Sequence, residues 1–259
     1  MVLVAVLWMM VLLSMLAAAL VVMSRSDARN AWFDLAQFQD DETVQAAINL
    51  AIAALTDPSQ HWPTDGTPRT IKFGDAPVEV AITSEAGKID LNNANPDLLR
   101  GLLTAVGEGP GAADEITNDI VIHRESGGFT NLSELLQLPE ISSDLFNRLA
   151  PSLTLYSGSN SVDSSTASLD VLLAIPGNTS ADAEAEMARR ASPGASIDTP
   201  SRPVMAGQAF TVIGKMTSPG RAGVLKSEVL RLTGSSSKPI FILLVFRNTP
   251  QNSGSGKWK

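Results

Sequence analysis

The sequence predicts an α+β fold: a long N-terminal helix packed on an antiparallel sheet, with an all-α domain inserted between the second and third strands. Three observations predict it. Met1 to Ser24 carry no charged side chain and lead without a helix breaker into an amphipathic helix that stops at Asp57-Pro58. Alternating apolar segments occur in two blocks far apart in the chain, 69–83 and 209–247. Between the blocks lies an acidic stretch of short capped helices that contains an internal repeat.

Composition narrows the function classes. The chain has 259 residues, 44% of them hydrophobic, and a formal net charge of −8. That charge disfavours electrostatic capture of nucleic acid or of an anionic surface by the chain as a whole. It has no cysteine, which excludes disulfides, thiolate metal sites and cysteine nucleophiles. Only two histidines are present, His61 and His123.

Val2 to Met23 form an uninterrupted apolar run, and Arg25 is the first charge. As a helix the run is roughly 33 Å long, enough to cross a hydrocarbon core of about 30 Å, and a helix satisfies its own backbone hydrogen bonds there. The predicted membrane helix is 1–24. A cleaved secretory signal is the rival, since Ala17-Ala18-Ala19 offers small residues to a protease. The missing basic n-region, the length of the run and the helix that continues beyond it weigh against cleavage. Residues 25–57 are the predicted amphipathic continuation: Val44, Ile48, Ala51 and Leu55 share one helix face, while Asp40, Asp41, Gln45 and Asn49 supply a polar face.

Segments 58–84 and 205–247 are predicted to form the α/β body with that helix. Arg69–Phe73 and Val78–Thr83 read as strands around a Gly74-Asp75-Ala76-Pro77 turn. Ala209–Thr217, Val224–Leu232 and Pro239–Arg247 read as three more, with Thr217 to Arg221 and Gly234 to Ser237 as turns. The inserted domain spans 85–200 and closes in the linker Ser192–Pro203; 248–259 is a predicted flexible tail.

The insertion repeats one pattern: a capped helix, a tight turn and another helix. Ile89 to Leu99 with Gly107, Asn131 to Leu136 with Leu138-Pro139, and Val162 to Leu172 with Ile175-Pro176-Gly177 all follow it. Asn93, Ser133 and Ser168 are the expected N-caps. Gly107 to Ala113 resembles the hairpin of helix-hairpin-helix modules, whose loop amides usually hold a DNA phosphate. Yet Glu85 to Tyr156 carry 11 acids and 4 Lys/Arg, a net −7. Glu108 lies in the loop, and Asp114 and Glu115 follow it, where phosphate would need cations. A protein-facing helical module is therefore expected rather than a nucleic-acid interface.

No catalytic constellation is legible, and the chain is expected not to be an enzyme. Gly254-Ser255-Gly256-Lys257 imitates a phosphate loop but is followed by Trp258 with no room for a helix. There is no Gly-x-Ser-x-Gly elbow. His61 and His123, the latter expected mid-helix, have no local partner set. Calcium is the one candidate cofactor, on two oxygen-rich clusters: Asp90, Asn92, Asn93 and Asp97, and Asp182, Glu184 and Glu186. EF-hand spacing is missing, and helix capping accounts for both clusters, so the metal ligands stay unassigned.

The arrangement resembles the minor pseudopilin K family of bacterial type II secretion systems, over nearly the full chain. Three parts carry the likeness. Val4 to Ser14, with Val4, Ala5, Leu7, Trp8, Leu12 and Leu13, is similar to that family's membrane and filament helix. Glu85 to Asn92, with Gly87, Lys88, Ile89, Asp90, Leu91 and Asn92, is similar to its lead-in to the inserted domain. Ala206 to Leu232 is similar to its closing strands. The resemblance implies a pilin-like fold and a single-pass subunit of the bacterial inner membrane with its body in the periplasm. It implies processing that leaves Met1 as the first residue, and a fifth position, Ala5, without the glutamate of ordinary pilins, as expected of a filament cap. Implied partners are the I- and J-class minor pseudopilins, the major pseudopilin, the inner-membrane platform and exported proteins. Calcium in the inserted domain is implied too. The insertion here is shorter than in many family members, which weakens any carry-over of a tip surface. A membrane-tethered helix-hairpin-helix DNA receptor of the competence type is the alternative, and a membrane-anchored hydrolase a more distant one.

Overall fold

The computed structural model describes residues 2–57, 60, 62–191, 206–218, 223–235 and 238–248; the side chains of 2–5, 17–30, 191 and 247–248 fall outside that description. The expected linker Ser192–Pro203, the tail beyond Asn248, and His61 lie outside the described residues.

One unbroken helix, α1 (Val2–Thr56), has 55 residues. At about 1.5 Å per residue it is roughly 80 Å long, far longer than the sheet it touches. Among its described side chains, only those of the C-terminal part are buried. Val44, Ala47, Ile48, Ala51, Ile52 and Leu55 pack on the sheet, the spacing that puts them on one helix face.

The sheet has five strands: β1 (Arg69–Phe73), β2 (Ala76–Ser84), then, after the middle segment, β5 (Ala209–Met216), β6 (Val224–Leu232) and β7 (Ile240–Asn248). The order is β1-β2-β5-β6-β7, antiparallel throughout. Strand alternation sends Val80, Ile82, Phe210, Val212 and Leu230 to the helix side. Gly214 lies on the same face: a Cβ there would sit 2.8 Å from Val44 Cγ1 and 2.9 Å from Ile48 Cγ1. Its bare backbone is what lets α1 seat this closely. The first hairpin is tighter than expected. Phe73 pairs with Ala76, leaving only Gly74-Asp75 as the turn, and Gly74 takes φ +60°. Two-residue turns of this kind match the twist of paired strands, so Ala76 and Pro77 join the ladder.

Between β2 and β5 the chain forms α2 (Pro96–Ala105), α3 (Pro110–Glu125), α4 (Ser143–Leu149), α5 (Leu169–Ala174) and α6 (Ser180–Ala191), with short 3₁₀ turns between them. They enclose a second core around Leu99, Leu102, Ile116, Leu135, Leu149 and Leu172. This segment is not purely helical, a correction to the all-α expectation. Ile89–Asp90 (β3) and Leu153–Thr154 (β4) pair in parallel, which brings the start of the segment beside the chain that follows α4. Helix caps also differ. Asn95 rather than Asn93 caps α2, and Asn131 rather than Ser133 caps the turn at Leu132–Gln137, while Ser168 caps α5. Asn93 is instead drawn to the Asp90 carboxylate. Helices α2 and α5 cross at Gly101, where a Cβ would lie 2.2 Å from the Ala174 carbonyl oxygen.

Candidate functional site

The features most open to a functional role are the free length of α1, its seat on the sheet, and the junction between the two cores. Leu7, Trp8, Leu12 and Leu13 are exposed on α1, as are Trp32, Phe33 and Phe38 further along. Val4 and Ala5 lie on the same helix, with side chains outside the described residues. Among the described residues no helix is long and apolar enough to cross a membrane. The expected span Val2–Met23 runs over positions whose side chains are outside that description.

Where α1 reaches the sheet, a buried polar network pins it. Lys226, only 1% exposed, reaches from β6 to Asp41 at 3.0 Å and donates to Gln45 Oε1 at 3.3 Å. Gln45 in turn donates to Glu228 at 2.6 Å. Burying these charges costs several kcal/mol per ion unless they are paired, so the network fixes which helix residues face β6. Sequence reasoning missed it. The signal was there: Lys226 and Glu228 fall in phase with Val224 and Leu230 on the helix-facing side.

The lead-in motif forms the junction. Gly87 lies against Thr166, where a Cβ would come within 2.7 Å of backbone atoms. Just before it, the buried Glu85 carboxylate accepts from Thr211 on β5 at 2.6 Å and from Thr154 on β4, and pairs with Lys88 at 2.7 Å. One carboxylate thus ties the sheet to the middle segment. Ile89, Asp90 and Leu91 are buried. Asp90 Oδ1 accepts from the Asn92 and Asn93 amides and the Asn93 side chain, and its Oδ2 from Gly158 N at 2.7 Å and Ser157 Oγ at 3.1 Å. Asn92 clamps both backbone groups of Phe129 at 2.8 Å. Arg124 donates to the Leu91 and Ala94 carbonyls at 2.5 and 2.9 Å; burial pulls its pKa down and neighbouring Asp90 opposes that. The motif is a scaffold for the chain reversal, with its polar atoms consumed internally.

Calcium does not fit the residues proposed for it. Asp90 is saturated by donors, and Asp97 pairs with Arg100 at 2.6 Å. Asp182 accepts from the Thr179 hydroxyl and amide, which hold its carboxyl below the usual range. Glu186 is taken by Arg189 and Arg190. Among the described residues no group of three or more His, Asp or Glu could hold a metal ion.

The hairpin between α2 and α3 turns at Gly107, with φ +97°. From α4, Arg148 donates to the Val106 carbonyl and pairs with Glu108 at 3.0 Å. The cation nearest the loop is therefore already spent on its carboxylate, and Asp114 behind it is spent on Arg100. A phosphate meets no vacant cation here, and the DNA-receptor alternative is not favoured. His123 lies in the last turn of α3, not mid-helix, stacked on Phe129 at 4.2 Å and 3.7 Å from Glu134. Nothing around it forms a nucleophile–base pair.

No protein-family model matches the chain. A search of curated proteins finds no match either. Among solved structures, the chain is similar to a chain of the GspK-GspI-GspJ complex from the type 2 secretion system of enterotoxigenic Escherichia coli. The likeness spans 87% of this chain and 99% of that one, with TM-score 0.47 and 12% sequence identity.

Proposed function

We propose that this chain is a non-enzymatic minor pseudopilin of the type II secretion machinery, of the K class, which caps or initiates the periplasmic pseudopilus and so supports export of folded proteins. The observation that carries the reading is the form of α1. It is one continuous helix whose C-terminal part is locked on a sheet, while the described side chains near its other end, from Val6 to Leu16, are exposed and, Ser14 apart, apolar. An isolated soluble domain has no use for such a stem, because exposed apolar area on this scale calls for lipid or for neighbouring helices. The sequence resemblance of Val4–Ser14, Glu85–Asn92 and Ala206–Leu232 to the family supports the same reading.

In this reading the apolar half of α1 anchors the subunit in the inner membrane and packs in the filament once extracted. The body lies in the periplasm, and the partners are the I- and J-class minor pseudopilins, then the major pseudopilin and the platform. Regions 58–84 with 205–247 form the filament-facing body, and 85–200 forms the domain directed at the periplasm or at cargo. The test is co-purification from cells co-expressing the I- and J-class subunits, with secretion of a folded exoprotein as readout. A stable ternary complex and a secretion defect on deletion are expected. A chain that purifies alone, with secretion intact in its absence, defeats the proposal.

A further inference from the structure

The sheet's two edges are treated differently. At one edge, β1 carries Arg69 and Lys72 and has only five residues, the usual protection against stray pairing. At the other, β7 has nine residues and is apolar on both faces. Its register with β6 puts Ile242 and Val245 on the helix side and Phe241, Leu244 and Phe246 on the opposite side. These five side chains are 41–63% exposed. Helix α1 packs chiefly on β5, with β2 and β6 beside it, so β7 overhangs the covered core. Among the described residues no strand pairs with its outer edge.

We propose that the outer edge of β7 receives an extended strand from another protein, apolar in its middle and acidic at its ends. Two features select that occupant. The first is the open ladder. An unpaired edge is extended only by a partner that supplies amides and carbonyls, which a strand does and a lipid tail cannot. The second is charge. In a chain of net −8, the stretch Lys238 to Lys259 contains four Lys/Arg and no Asp or Glu. Lys238 precedes β7 and Arg247 lies near its end. A second copy of β7 docked antiparallel would bring like charges together at both ends. An acid-ended strand places opposite charges there instead.

This inference does not rest on the pseudopilin reading, and its test is separate. The full chain, held in neutral-lipid nanodiscs, is titrated with a labelled peptide, acetyl-Asp-Glu-Thr-Val-Thr-Val-Thr-Glu-Asp-amide, by fluorescence anisotropy. Its counterpart has lysine at the four acidic positions. The acid-ended peptide is expected to bind at least tenfold tighter, with the gap shrinking as salt rises. Of two peptides N-methylated at alternate residues, the one blocked on its pairing edge loses binding and the other keeps it. This arm uses the unaltered chain and so does not depend on a variant folding. Lys238→Glu combined with Arg247→Glu reverses the preference. Equal binding of both peptides, no binding, or equal tolerance of both methylation patterns overturns the proposal. So does dimerisation of the discs through β7, which makes a second copy the occupant, or β7-dependent flotation with phosphatidylglycerol vesicles, which makes it lipid.

Discussion

The two cores of this molecule are built on opposite plans. The helix–sheet core joins Val44, Val80, Val212 and Leu230, residues from both ends of the chain, so it closes only after the whole middle segment has been looped out. The second core draws only on the segment from Ile89 to Ala183, within which α2 meets α5. Polar groups differ in the same sense. The first core buries Lys226 and Glu228 of β6 against the partly buried Asp41 and Gln45 of α1. The second buries Asp90 and half-buries Asn92, whose partners are mostly backbone amides and carbonyls of other turns in the same segment. The first core is held by side chains that recognise one another. The second is held by side chains that close turns.

The sharpest way to break this contrast is at Lys226. Lys226→Ala removes the buried cation that pairs with the partly buried Asp41 and is expected to cost up to about 3 kcal/mol, measured by denaturant unfolding. Hydrogen exchange should then show α1 and β6 loosened while α2 and α3 stay protected. Lys226→Met, which fills the space without charge, should recover part of the loss; full recovery by that variant would show that packing rather than charge pairing holds the helix.

A smaller effect is expected at the junction. Glu85→Ala removes the acceptor shared by Thr211, Thr154 and Lys88. Stranding two buried hydroxyls and an amine should cost about 2–3 kcal/mol. Calorimetry should resolve two transitions where the parent shows one, because the carboxylate ties the cores together. A single, merely shifted transition would mean that other contacts carry the coupling.

The smallest effect belongs to the helical segment's surface. Arg189, hydrogen-bonded to Glu186, lowers that carboxyl to about 2 against burial that raises it, with Arg190 adding to the drop. A depressed carboxylate stabilises the fold fully above its ordinary pKa of 4.5 and loses that contribution as pH falls through about 2. Because Arg189 is more than half exposed and solvent screens the pair, Glu186→Gln should cost less than about 1 kcal/mol at neutral pH and nothing near pH 2. A loss that persists in acid would point to packing of the side chain instead.

Much of this architecture is legible in the residues. The strands at Arg69–Phe73 and Val224–Leu232 fall where alternation puts them, since period-2 apolar patterning is a local property. Asp57-Pro58 marks the end of α1 within a residue or two for the same reason. The lead-in motif stood out as Gly87 to Asn92, but its role did not. A glycine wedged against Thr166 and an aspartate closing a loop at Gly158 depend on segments that are distant in the chain. The oxygen-rich clusters read as calcium candidates because composition shows acids without showing the amides, hydroxyls and guanidinium groups that consume them.

The sequence by itself determined the long helix, the strand positions and the acidic repeats, because each follows from periodicity, capping residues and breakers within a few neighbours. Only the tertiary structure decided that Lys226 is a buried lock rather than a surface cation, and that Asp90 is a closed hub rather than a ligand. It also decided that β7 is left uncovered on both faces. All three depend on which segments meet across the fold, and desolvation and pairing take effect only where they meet.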